Sequence, residues 1–224
     1  MTARAAILAR VRASLGVKGT EKDRKASVET RLNSAPKGIV PARGQLDAKG
    51  RADLFCAKAE EVLATVTRVA SLSDVPKAAV DYLRDRNLPA SLAMGADPRL
   101  AAMPWGRQRS LTIKTGATDG SDEAALSMAL GGAAETGTVM LASGKDNPST
   151  LNFLPEHHIV VVHSADIAGD MESLWPKIRE RHGKGAMPRT VNLVTGPSRS
   201  GDIEQKLILG AHGPRALHII VVDD

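Results

Sequence analysis

The stretch HIVVVHS, residues 158–164, is apolar at every position between its two histidines. Successive side chains of a strand point to opposite faces. A strand that is apolar on both faces must be covered on both, as in a parallel sheet packed between other layers. Further strand-like words occur at VTRVA (66–70), SLAM (91–94), SLTIK (110–114), TVMLAS (138–143), TVNLV (190–194) and LHIIVVD (217–223). Helical words lie between them. They fall at 51–65, from a capping Ser73 and early Pro76 to about Asn87, from Ser121 through Leu130, within DMESLWPKIRERHG, where Pro176 bends the helix or marks a late start, and at about 201–210. The alternation predicts an α/β fold: a mostly parallel sheet with helices on both faces and right-handed crossovers.

The core must be built from Leu, Val, Ile, Ala and Met, because aromatic residues make up only 2% of the chain. The single cysteine, Cys56, excludes an internal disulfide and any cysteine-built metal or iron–sulfur site. Its expected role is that of a small buried hydrophobe. No apolar run reaches the length of a membrane span, and the N-terminal apolar stretch is too short for a secretory signal. A cytoplasmic protein is expected.

Charge divides the chain. Residues 1–51 hold twelve Lys and Arg against four Asp and Glu, whereas the remainder holds eighteen against twenty-one. Ile7, Leu8, Val11 and Leu15 share one helical face, and Gly16 ends that helix. Residues 17–50 read as a linker or extended arm, with PKGIVPARG as a turn-bearing stretch. Residues 1–50 are therefore an N-terminal helix and basic linker, and residues 51–224 the α/β domain. A short amphipathic helix of this kind serves packing or oligomerisation, so a homo-oligomer is one expectation. The basic arm could meet nucleic acid, but it lacks an aromatic residue to stack on bases, which argues against that reading.

Three clusters carry candidate chemistry. In TGPSRSGDIE, Gly196 and Pro197 make a turn, Ser198 or Ser200 can cap the expected helix, and Asp202 and Glu204 suit its first turn. Free N–H groups there, beside Arg199, would suit a carboxylate or phosphate. In LGAHGPRALH, Gly210 ends the helix, His212 sits in the turn and Gly213–Pro214 feed the last strand. A helix antiparallel to the strands would put this second turn at the opposite pole, away from the first. Ligands of such sheets bind beyond the carboxyl ends of strands, which favours the first turn. In AAETGTVMLASG, Glu135 precedes Thr136, Gly137 and Thr138, as a nucleophile, a base or a capping group. His157 and His158 are adjacent and would point to opposite faces of a strand, so they cannot share a metal ion. No GxGxxG or Walker-A loop is present. The sequence thus names no cofactor.

The words AAETGTVMLASG, LPEHHIVVV and TGPSRSGDIEQKLILGAHGPRALHIIVVDD resemble the lactate utilization protein C family, the stand-alone LUD-domain proteins, in order over residues 124–224. The resemblance implies a fold similar to the NagB/RpiA/CoA-transferase-like α/β sandwich. It also implies an accessory component of a bacterial three-protein system that oxidises L-lactate to pyruvate, with an iron–sulfur partner protein. The family's marked positions fall here on Glu135, Thr136, Gly137 and Thr138; on Gly196, Pro197, Ser198, Arg199, Asp202 and Glu204; and on His212, Gly213, Pro214 and Arg215. Ser200 and Gly201 stand where the family has Thr and Ala. The competing expectation is an independent transferase, ligase or isomerase acting on a carboxylated or phosphorylated small molecule. In either case Arg199 and its turn are the expected anion site, with Glu135 nearby.

Overall fold

The computed structural model describes residues 2–201 and 208–224 of the chain. It divides into two compact units, one ending at Gly38 and one spanning Ile39–Asp224. The first holds helices α1 (Ala3–Ser14) and α2 (Lys22–Ser34). Gly16 follows α1 with φ +63°, the left-handed stop expected of it. Helix α2 replaces part of the expected linker. Its only apolar residues are Ala26, Val28 and Leu32 and none of its residues is buried, so it lacks the full apolar stripe by which a helix is recognised. Its Lys, Arg, Glu and Leu residues are nonetheless good helix formers.

The second unit begins with α3 (Ala48–Glu61), β1 (Thr65–Val69), α4 (Val75–Asp85), β2 (Ser91–Met94), the short α5 (Pro98–Ala101), β3 (Thr112–Thr115) and β4 (Ala124–Met128). Then follow β5 (Gly131–Ala133), β6 (Thr138–Ala142), β7 (His157–His163), β8 (Ile167–Ala168) and α6 (Trp175–His182). It closes with β9 (Val191–Val194), β10 (Arg199–Ser200), β11 (Ile208–Leu209) and β12 (Ala216–Val222).

Six parallel strands form the main sheet in the order β1-β12-β7-β4-β2-β3. The doubly apolar β7 lies inside it, paired with β12 and β4. Along β7, Ile159 and Val161 face one layer, where Val75, Ala79 and Leu83 of α4 pack with Leu100 and Met103. Val160 and Val162 face the other, where they meet Ala52, Phe55 and Ala59 of α3 together with Val139 and Leu141 of β6. Phe55 is the one aromatic side chain among the fully buried large residues. Cys56, beside it, is only partly buried, short of the full burial expected. Burial still pushes its thiol pKa up.

A second sheet, β8-β5-β6-β9, lies over the α3 side. Its β5–β6 and β6–β9 pairs are antiparallel. Its far side, through Ala133, Met140 and Ala142, is closed by Leu174 and by Ile178 of α6. Pro176 sits in the first turn of α6, where its missing N–H costs nothing, so it marks a late start and not a bend.

Two helical expectations give way. Residues 121–130 carry β4, whose five residues are all buried. Ser121 does not cap a helix: its N–H and O–H both donate to Asp119. Ala, Leu and Met favour a helix locally, but pairing with β2 and β7 under two covered faces overrides that preference. Ser73 does not cap α4: the residue at its N-cap is Asp74, without a side-chain cap bond, and the capping serine is Ser71, one turn earlier. Ser71 and Asp74 form a reciprocal capping box on the 3-10 turn Leu72–Asp74 that leads into the helix. Ser71→Ala should cost about 1 kcal/mol in chemical denaturation, and Ser73→Ala clearly less.

Candidate functional site

The turn after β9 does not enter a helix at Ser198. Arg199–Ser200 pair antiparallel with Ile208–Leu209, so a two-stranded ladder stands where both ends of the expected helix would be. Asp202 and Glu204 lie outside the described residues. Ser198 is the hinge of this arrangement. Its N–H donates to the Pro214 carbonyl at 2.9 Å, its carbonyl accepts from Gly210 N–H at 2.9 Å, and its Oγ accepts weakly from His212 N–H at 3.4 Å. The two turns expected at opposite poles are therefore side by side. The topology agrees with this: β9 belongs to the smaller sheet and β12 to the main one, and between them β10 pairs antiparallel with β11.

Between them opens a cavity of about 290 Å³. The segment from Leu193 to Arg199 forms one wall and His212–Pro214 another, with Phe153 and Leu217 as apolar surface. It lies at the carboxyl end of β9, as expected, but at the amino ends of β7 and β12, because His158 and Leu217 are their second residues. Arg199 is exposed, and its guanidinium has no ion pair among the described residues.

Two cavity residues are buried polar groups that the sequence reading passed over as site candidates. His158 is 1% exposed and Asn152 is 2% exposed. Ser127 of β4 joins them: its Oγ lies 3.1 Å from His158 Nε2 and 3.3 Å from Asn152 Oδ1. His158 Nδ1 and Asn152 Nδ2 have no hydrogen-bond partner among the described residues. Burial lowers the His158 pKa to about 4, so the ring is neutral at pH 7. The signal was present in the sequence as a histidine leading an apolar run, where a polar group must be paired or used.

The Glu135–Thr138 cluster is placed differently. Glu135 does not line the cavity; its Oε1 accepts from Met171 N–H at 2.9 Å, holding the loop after β8. Thr136, Thr138 and Thr195 form a chain of hydroxyls with 2.7 Å spacings, ending at the cavity wall. Gly137 has φ +66°, and a Cβ there would fall 2.3 Å from Ala59 N of α3. Gly196 has φ +71°, with its would-be Cβ 2.2 Å from Val62 O just beyond α3. Both glycines let their turns press against the end of this helix. Gly213 packs on Ser198 at ordinary distance, Ser200 is buried, and Arg215 lies 3.5 Å from Glu156 on the surface.

A larger cavity, about 510 Å³, lies between β1 and α4 on the other face. Its histidine, His218, stacks on Tyr82 and shares a 2.8 Å hydrogen bond with Thr65 Oγ1, while Tyr82 Oη lies 2.8 Å from His157 Nδ1. Asp81 there is neutralised by Lys77 and Arg84. His157 and His158 thus serve opposite faces. Among the described residues no group of three or more His, Cys, Asp or Glu could hold a metal ion, and no helix is long and apolar enough to cross a membrane.

These layers define a class. The fold matches the crystal structure of a DUF162 family protein from Deinococcus radiodurans with a TM-score of 0.58 and 19% identity, over 79% of this chain and 99% of that one. The family follows from the sequence match: the LUD domain model covers residues 52–222, and the chain belongs to the LUD domain family. Similar curated proteins are each named lactate utilization protein C. That of Shouchella clausii is 37% identical over 91 residues, covering 41% of this chain and 40% of that protein. That of Geobacillus thermodenitrificans is 41% identical over 92 residues, covering 40% of this chain and 38% of that protein. The Bacillus subtilis protein is 40% identical over 92 residues, with the same coverage. The match spans about two fifths of the length of these relatives.

Proposed function

We propose that the chain is an accessory component of a bacterial system that oxidises L-lactate to pyruvate, acting with an iron–sulfur partner protein, and that the cavity beside Arg199 is its site for a small anion. The observation that carries this reading is the meeting of the Gly196–Arg199 and His212–Pro214 turns around one cavity. The shared name of the relatives supplies the metabolic context. One cysteine cannot by itself ligate an iron–sulfur cluster, so the reading assigns that cluster to the partner.

Deleting the gene should abolish growth on L-lactate, and affinity purification from lactate-grown cells should recover an iron–sulfur protein. Unchanged growth would refute the assignment. Arg199→Ala should weaken binding of a small carboxylate by roughly ten- to hundredfold in calorimetric titration, the scale of a charge-assisted hydrogen bond. Unchanged affinity would move the anion site elsewhere.

A further inference from the structure

We infer that the two-helix unit ahead of the LUD domain lays its exposed aliphatic side chains and its cations on an anionic lipid surface, which makes the protein a peripheral membrane protein. The cavity and its ligand play no part in this.

Helices α1 and α2 precede the LUD domain, residues 52–222, and bury none of their own residues. Helices of 12 and 13 residues are marginal in water unless they can bury a face. Such a face is present. Ile7, Leu8, Val11 and Leu15 on α1 and its cap, and Val28 and Leu32 on α2, are 39% to 67% exposed. At about 100° per residue the first four fall within an arc of about 100°, with Arg12 about 40° beyond one border and Arg10 about 60° beyond the other. Val28 and Leu32, four residues apart, share a face of α2, and Arg24 and Lys25 flank it.

Charge selects the occupant. Residues 1–38 hold nine Lys and Arg against three Asp and Glu, and no acidic residue precedes Glu21. A second copy would bring the arginines of α1 against each other, because α1 has no acidic residue to pair with them. Nucleic acid would answer the charge but leave the aliphatic side chains in water, and residues 1–38 hold no aromatic residue to stack on bases. A bilayer with anionic headgroups takes both: the aliphatic side chains enter the boundary between headgroups and acyl chains, and the long basic side chains reach the phosphates. Each cation near such a surface adds attraction that fades within a Debye length, so the binding is reversible and sensitive to salt. Among the described residues no helix is long and apolar enough to cross a membrane, so the unit lies along the surface.

The test is co-sedimentation of the full-length protein with large vesicles, either of phosphatidylcholine alone or of phosphatidylcholine mixed with phosphatidylglycerol, at low and at high salt. The protein should partition at least about tenfold more strongly onto the anionic vesicles, and high salt should remove most of that preference. Ile7→Ser combined with Val11→Ser should weaken the anionic binding at least about tenfold, the effect of two aliphatic side chains no longer inserted. Arg10→Glu should weaken it at least about fivefold. All three side chains are exposed, so the urea unfolding midpoint of the Ile39–Asp224 unit should stay unchanged in these variants. Absence of binding to the anionic vesicles, or equal binding to both kinds, would overturn the inference. So would anionic binding that survives the serine substitutions and is matched by polyglutamate or an RNA oligonucleotide, which would reduce the unit to a polyanion binder. A dimer in sedimentation velocity that the serine substitutions dissolve, without vesicle binding, would give the face to a second copy instead.

Discussion

Acidification from pH 7 to pH 4 is expected to remove roughly 6 kcal/mol of unfolding free energy through two histidines alone. His158 and His218 are both buried, and both have their pKa lowered from 6.5 to about 4. For His158 the cause is loss of water. For His218 it is burial first, with the Arg86 guanidinium nearby adding repulsion. Each ring is neutral in the native state but titrates near 6.5 once unfolded, so the unfolded chain binds more protons between those values. The stability is fully present above about pH 6.5 and is lost as the pH falls to about 4, at about 3 kcal/mol for each ring. Urea unfolding across this range should give a steep rise of stability with pH. His218→Phe, which retains a ring to stack on Tyr82, should remove about half of the slope. A flat profile between pH 4 and 6.5 would show that the two rings are not held neutral by burial. Carboxylates with lowered pKa, such as Asp97 beside Arg99, add losses that begin only below about pH 5, so the upper part of this window reports the histidines.

The second large effect concerns two glycines. Gly196→Ala and Gly137→Ala are each expected to destabilise the protein by about 3 kcal/mol or more. Both positions have φ near +70° (71° and 66°), which disfavours any Cβ. The added methyl would also collide with backbone atoms at the end of α3, at 2.2 Å and 2.3 Å. Backbone cannot rotate away as a flexible side chain can. Helix α3 would have to shift, and with it Phe55 and Ala59, which fill the layer between the sheets. Gly196→Ala would also move the turn that carries Ser198 and Arg199, so anion binding should fall together with stability. Gly106→Ala is the control: a Cβ there meets nothing within 4 Å. It should change stability by less than about 0.5 kcal/mol. Equal midpoints for all three variants in urea unfolding would contradict the close approach.

The α/β class and most strands were legible because they rest on local pattern. The run from Ile159 to Val162 announces a doubly covered strand by itself, and Ala216–Val222 announces its neighbour. Ala124–Met128 was not legible, since a short apolar run of Ala, Leu and Met has no period that separates a strand from a buried helix. The decision came from two neighbouring strands distant in sequence. The site was half legible. Turn residues announced Gly196–Arg199 and His212–Gly213 one at a time. That the two turns meet goes with β9 and β12 lying in different sheets and β10 pairing with β11 between them, which no local pattern encodes. The buried polar cluster was invisible for the same reason: Ser127, Asn152 and His158 come from three separate elements and meet only through strand pairing and the 3-10 turn Ser149–Asn152. Glu135 illustrates the converse. Its place in a glycine-containing turn suggested chemistry, yet its carboxylate is spent on the Met171 N–H.

The most direct test of the link between this cavity and lactate metabolism is growth on L-lactate of a strain lacking the gene, complemented with wild-type protein or with Arg199→Ala at matched abundance. The account expects the wild-type protein to restore growth and the variant to fail while remaining folded. Full restoration by Arg199→Ala would contradict it.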